Sequence, residues 1–104
     1  MDKLTELLII TMEECGELTQ ACSKVLRKRD LSNPIDGAYS IEEKQKLKGK
    51  KTLEESMKDL TKEVADVQCM IELLQTEGLV DWTEIRQGVE EKRAKLKLWS
   101  NLVS

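Results

Sequence analysis

Glu13, Glu14 and Glu17 in Glu13-Glu14-Cys15-Gly16-Glu17, with Glu63 and Asp66 in Glu63-Val64-Ala65-Asp66, are the residues whose types and spacing could do chemistry. Glu14 and Glu17 stand at i,i+3, as do Glu63 and Asp66, so on a helix each pair presents neighbouring carboxylates. An ionised carboxylate taken out of water without a partner costs several kcal/mol. The chain contains no histidine, so the simplest compensation is one or more hard divalent cations. Mg²⁺ and Mn²⁺ prefer oxygen ligands, and Mg²⁺ keeps part of its water shell for a substrate to displace. Should the two pairs face each other, the oxygen-rich pocket between them suits phosphoanhydride hydrolysis. A metal bridging phosphate oxygens stabilises charge building at phosphorus, and a second metal or a carboxylate activates the attacking water.

The elements that must position these acids are helices. From about Asp2 to Arg29, Leu4, Leu7, Leu8, Thr11, Cys15, Leu18, Cys22 and Val25 form one stripe at about 100° per residue. Glu14 falls inside that stripe, Glu17 lies on its edge and Glu13 points away. Asp2 suits the N-cap, and Arg27, Lys28 and Arg29 suit the negative C-terminal end of the helix dipole. Residues Asp30 to Lys51 break the pattern: Leu31 to Gly37 has turn chemistry around Pro34, the only proline. Ile41 to Lys48 could form a short helix capped by Ser40, with Glu43 three residues later. A second long helix starts at Thr52, with Glu55 completing a capping box, and stops near Gly78. Its Leu53, Met57, Leu60, Val64, Val67, Ile71 and Leu74 alternate in steps of four and three, a seam for left-handed packing. Glu63 and Asp66 flank this seam on a strip shared with Asp59, Met70 and Leu73. A third helix runs from Asp81 or Trp82 to about Asn101, with Ile85, Val89, Leu96 and Leu98 or Trp99 as apolar contacts and Gly88 as its weak point.

These elements predict an all-α fold: an antiparallel helical bundle of three long helices and the short one, in a single domain over residues 1–104 with an insert at about 30–51. Three such helices cannot cover one another's apolar faces, so the core is expected to be completed by a homodimer or homotetramer.

Composition narrows the classes. A net charge of −3 with interspersed signs argues against a nucleic-acid-binding field. Three aromatic residues, Trp82, Trp99 and Tyr39, argue against a β-sandwich or a base-stacking platform. No segment has the length to span a bilayer, and the N-terminus lacks the charged-then-apolar pattern of a signal peptide. Cys15, Cys22 and Cys69 form no CxxC pair and are expected to be small core residues in a reducing cytoplasm.

Glu13-Glu14-Cys15-Gly16-Glu17-Leu18 and Glu63-Val64-Ala65-Asp66-Val67 together read EExxE followed by ExxD. In that order and context they resemble the motifs of the MazG-like all-α nucleoside triphosphate pyrophosphohydrolases, whose relatives include dUTPases, dCTP pyrophosphatases and phosphoribosyl-ATP pyrophosphatases. The resemblance extends across the chain: motif helix, loop, motif helix, then a last helix with basic residues. It implies that Glu14, Glu17, Glu63 and Asp66 ligand Mg²⁺, with Mn²⁺ as an alternative. It also implies that Glu13 is a supporting or water-orienting catalytic acid. The implied reaction takes an NTP or dNTP to the monophosphate and pyrophosphate, for nucleotide house-cleaning or pool control. Lys92, Arg93 and Lys95 resemble the family's basic stretch that meets substrate phosphates; read alone, they are equally a solvated charged face. The insert lengthens the spacing between the motifs, and Met70 stands where many relatives carry a tyrosine near the base.

Two other readings remain in view. One is a phosphoribosyl-ATP pyrophosphatase-like enzyme, although Val67-Gln68-Cys69-Met70 lacks the aromatic or histidine residues associated with that branch. The other is a non-catalytic helical oligomerisation or interaction module, which the clean seam of the second helix fits. Lys44, Lys46, Lys48, Lys50 and Lys51 either keep the insert soluble or form a flap that closes on phosphate.

Overall fold

Asp2 starts the first helix. Its Oδ1 accepts a hydrogen bond from the Thr5 backbone N–H at 2.7 Å, which satisfies one of the donors that a helix start leaves free. In the computed structural model, which describes residues 1–32 and 52–103, this helix (α1) spans Lys3–Ser32. It therefore continues through Leu31 and Ser32, where turn chemistry is expected. The expected short helix over Ile41–Lys48 and the lysines from Lys44 to Lys51 lie outside the described residues.

The second helix, α2, spans Leu53–Thr76. The Glu55 N–H donates to Thr52 Oγ1 at 3.1 Å, and the Thr52 hydroxyl donates to Glu55 Oε1 at 3.3 Å. The threonine half of the expected capping box thus forms, while the glutamate carboxylate meets the threonine hydroxyl in place of the Thr52 backbone N–H. Gly78 ends the helix at φ +79°, a left-handed conformation that only glycine adopts freely. The Gly78 N–H bonds the Gln75 carbonyl and the Leu79 N–H bonds the Leu74 carbonyl, the paired bonds of a Schellman stop. The third helix, α3, spans Trp82–Trp99, with Asp81 Oδ1 accepting from the Thr83 N–H. The described residues are all-helical, without a strand, and no helix among them is long and apolar enough to cross a membrane.

Residues 1–70 and 71–104 form two compact units, with α2 running through both. In the first unit α1 packs with Leu7 and Ala21 buried and Thr11, Glu14, Leu18 and Val25 half-buried. The face of α2 turned inward carries Ser56 and Met70, both buried, and the half-buried Leu60, Glu63, Asp66 and Val67. This corrects two expectations. Met57 and Val64, placed on the packing seam, are 51% and 46% exposed, because the buried face of α2 lies one strip around, through Ser56 and Met70. Cys15, Cys22 and Cys69, expected in the core, are all exposed. Cys15 and Cys22 sit on the part of the α1 stripe that α2 does not cover.

In the second unit α3 has no buried residue. Ile85 and Leu96 are half-buried, while Val89, Leu98 and Trp99 are exposed. One substitution should act with opposite sign at its two glycines. Gly88 is helical, with nothing within 4 Å of an added Cβ, so Gly88→Ala should stabilise by about 0.5–1 kcal/mol. Gly78→Ala should destabilise by about 1 kcal/mol, because alanine is strained at positive φ. Thermal melts of the two variants check this; an equal sign for both would contradict it.

Candidate metal centre

Three carboxylates meet where the two motif helices pack. Glu14 on α1 and Glu63 and Asp66 on α2 each offer an oxygen, and these oxygens all lie within 4.8 Å of one another. Their positions follow from the helix repeat: Glu14 occupies the inward strip of α1 between Leu7 and Ala21, and Glu63 that of α2 between Ser56 and Met70. The two helices run in opposite directions here. Glu14 faces Glu63 and Asp66, while Ala21 and Lys24 share a cavity with Ser56 and Asp59 further along.

Glu14 Oε2 and Glu63 Oε2 are out of contact with water and have no hydrogen-bond partner, although each residue as a whole is only half-covered. Unpartnered polar atoms in such positions are rare in folded proteins. Desolvation is the main cause that holds the Glu14 carboxyl above its ordinary value of 4.5; the charges of Glu17, Asp66, Glu63 and Glu13 add to it in that order. The Glu63 carboxyl is likewise raised, first by desolvation, then by the charge of Glu17 and a side-chain hydrogen bond with it, then by Asp66. Lys62 offsets part of this. Oxygen donors that are crowded, partly dehydrated and mutually repelling fit a hard divalent cation, whose charge would reverse each of these penalties.

Glu17 stands beside Glu63 but outside the group of three converging oxygens. It opens instead onto a cavity of about 330 Å³ that begins at Glu17 and Glu63. Buried Ala21 and Ser56 line this cavity together with Gln20, Asp59, Lys24 and Lys62. Sequence reasoning missed both lysines. Lys24 follows Glu17 by seven residues, two turns along the same strip, and Lys62 adjoins Glu63; those spacings were the available signal. Glu13 is exposed and points away from the cluster, where only its charge reaches Glu14. Lys92, Arg93 and Lys95 are exposed on α3 in the second unit. There the Lys92 ammonium lies 5.4 Å from the centre of the Trp99 ring, a cation–π contact.

No family model matches this chain, and no curated protein or solved structure is significantly similar to it.

Proposed function

We propose that this chain is a Mg²⁺-dependent nucleoside triphosphate pyrophosphohydrolase of MazG-like type, cleaving NTPs or dNTPs to the monophosphate and pyrophosphate. The observation that carries the reading is the convergence of Glu14, Glu63 and Asp66 with two buried carboxylate oxygens left without partners. A solvated helix surface would place these acids apart and in water. The EExxE and ExxD motifs are the ones that meet.

Glu14, Glu63 and Asp66 would hold the cation, with Glu17 beside Glu63 as the fourth acid. When bound, Mg²⁺ supplies charge stabilisation at the phosphoryl group. Glu13 acts as the supporting acid next to Glu14. Lys24 and Lys62 border the cavity that adjoins Glu17 and Glu63 and would offer ammonium groups to substrate phosphate oxygens. The basic residues of α3 are the alternative phosphate contacts. A hydrogen bond to a charged group contributes about 1.5–3 kcal/mol. Lys24→Ala and Lys62→Ala should therefore each raise KM about tenfold with little change in kcat, and Lys92→Ala/Lys95→Ala should change neither. The opposite ranking in steady-state kinetics would move phosphate recognition to α3.

The enzyme serves nucleotide house-cleaning or pool control in the cytoplasm and works as a homo-oligomer. Support for the oligomer comes from large apolar side chains left exposed on α1 and α2, among them Leu8, Leu26, Met57 and Val64. The same exposed faces are what a non-catalytic interaction module would show, so the decisive test is chemical. Purified protein incubated with each common NTP and dNTP in Mg²⁺ should release pyrophosphate and the matching monophosphate from at least one of them, with products identified by phosphorus NMR. Intact nucleotides throughout, in Mg²⁺ and in Mn²⁺, would leave the interaction module as the better reading.

A further inference from the structure

We infer that α1 pairs with α1 of a second copy, antiparallel, about a two-fold axis passing beside Cys15. The inference deepens the homo-oligomer proposed above by naming its interface, and it does not depend on the catalytic reading.

The stripe of α1 centred on Cys15, exposed except for the half-buried Thr11, is a palindrome. Counted from Cys15, Thr11 and Thr19 stand four residues away on either side, Leu8 and Cys22 seven, and Leu4 and Leu26 eleven. At about 100° per residue these seven side chains fall within roughly 40° of the Cys15 direction. A two-fold interface must be complementary to itself, so that residue i meets j and j meets i. An antiparallel pairing centred on Cys15 does this along its length. Leu4 faces Leu26 of the second copy, Leu8 faces Cys22, Thr11 faces Thr19, and Cys15 faces its own equivalent.

Three observations favour a second copy as the occupant. Leu4 and Leu8 are each 46% exposed and Leu26 is 52% exposed, whereas the strip packed on α2 lies to one side, through Leu7, Leu18, Ala21 and Val25. Both threonines have their hydroxyls satisfied within α1: Thr11 donates to the Leu7 carbonyl at 2.7 Å and Thr19 to the Cys15 carbonyl at 3.0 Å. Their hydrogen-bonding needs are met without a partner, so the seam can lose water without orphaning a polar group. The charge of α1 is also divided along its axis. Asp2 to Gly16 carries four acids and one lysine, and Glu17 to Arg29 carries four bases and one acid. Antiparallel pairing sets the acidic half of each helix beside the basic half of the other and opposes their dipoles, whereas parallel pairing sets like beside like. Glu14 lies about 100° around α1 from Cys15, so the interface leaves the carboxylate cluster uncovered.

Single-thiol variants test the register. A Cys22→Ser/Cys69→Ser protein keeps Cys15 alone, and a Cys15→Ser/Cys69→Ser protein keeps Cys22 alone. Sedimentation equilibrium at micromolar concentration should show a dimer or a larger even assembly for both. A short bis-maleimide should join the Cys15-only protein into a covalent dimer and leave the Cys22-only protein uncrosslinked. In the inferred register the two Cys22 residues stand fourteen residue rises from each partner's equivalent position, about 21 Å along the axis. Leu8→Glu should shift the assembly to monomer with its helical circular dichroism retained. A monomeric parent protein, with the stripe covered from within the chain, overturns the inference. So does an assembly in which Cys15 fails to crosslink, or in which Cys15 and Cys22 crosslink equally, as parallel helices would. These readouts use no nucleotide and no metal, so their failure is separate from a failure of the hydrolase reading.

Discussion

Glu63→Gln should give a protein that melts higher than the parent in EDTA yet hydrolyses nucleotides at least about a hundredfold more slowly. Both effects arise from the same carboxylate. In the metal-free fold, the Glu63 charge is disfavoured by desolvation and by Glu17 and Asp66, and its Oε2 has no partner. Glutamine has nearly the same shape, carries no charge and brings an amide N–H₂ that can donate to the surrounding carboxylates. Removing one of several crowded charges therefore relieves the fold. The catalytic loss follows because an amide is a poor ligand for Mg²⁺ in a site built from carboxylates. If losing that ligand removes about 3 kcal/mol of transition-state stabilisation, at 1.36 kcal/mol per decade the rate falls by about two orders of magnitude. Glu13→Gln is the contrast: its exposed side chain lies outside the cluster, so it should change the melt little and the rate by less than about tenfold. Calorimetry in EDTA and initial rates of pyrophosphate release measure the two effects. A Glu63→Gln protein that melts lower in EDTA would contradict the crowding, and one that keeps parental activity would remove Glu63 from the site.

This trade between stability and chemistry explains which parts of the molecule could be read in advance. Helix ends depend on local chemistry, and Asp2, Thr52 with Glu55, Gly78 and Asp81 each form a cap or stop at the expected place. The meeting of Glu14 with Glu63 and Asp66 depends on helical spacing and on opposed helix directions, both available from the pattern. The packed face was harder to read. Apolar residues on α1 cover an arc wider than one neighbouring helix needs, so hydrophobicity alone does not say whether the Leu7–Leu18 strip or the Cys15–Cys22 strip turns inward. Ala21 and Ser56, both buried, are small residues that a search for large apolar side chains passes over. Ser56 is the most buried polar residue of the described chain, and serine inside a helix usually reads as surface. Lys24 and Lys62 escaped notice for a related reason: an exposed lysine gains meaning only when a cavity beside it is known.

The stabilising effect of Mg²⁺ should grow steeply as pH rises. Glu14 and Glu63 both hold a proton more tightly in the folded chain than at their ordinary value of 4.5. In the metal-free protein their ionisation therefore opposes folding. This penalty is complete above the raised folded values, is relieved as pH falls through them, and is gone below 4.5, where both states are protonated. A divalent cation needs the same oxygens ionised, so it competes with those protons. Above the raised folded values it meets a site already deprotonated and strained by like charge, and binding relieves the strain. As pH falls through those values it must first displace protons that the fold favours, so its apparent affinity drops. A cation bound only by the folded form adds RT ln(1 + [L]/Kd), about 1.4 kcal/mol at a tenfold excess over Kd. In a domain of this size each kcal/mol raises Tm by about 4–8 °C. Melts with and without about 10 mM Mg²⁺ should therefore separate by several degrees at pH 8 and by less at pH 5. Taking the difference at each pH cancels carboxylates away from the site. One of these is Asp2, whose capping bond to Thr5 holds its carboxyl below the ordinary range and gives the opposite pH slope. Glu63→Gln should flatten the difference at every pH while leaving the Asp2 contribution in place. A Mg²⁺ shift in the parent protein that is constant from pH 5 to 8 would mean that the cation binds elsewhere than at Glu14, Glu63 and Asp66.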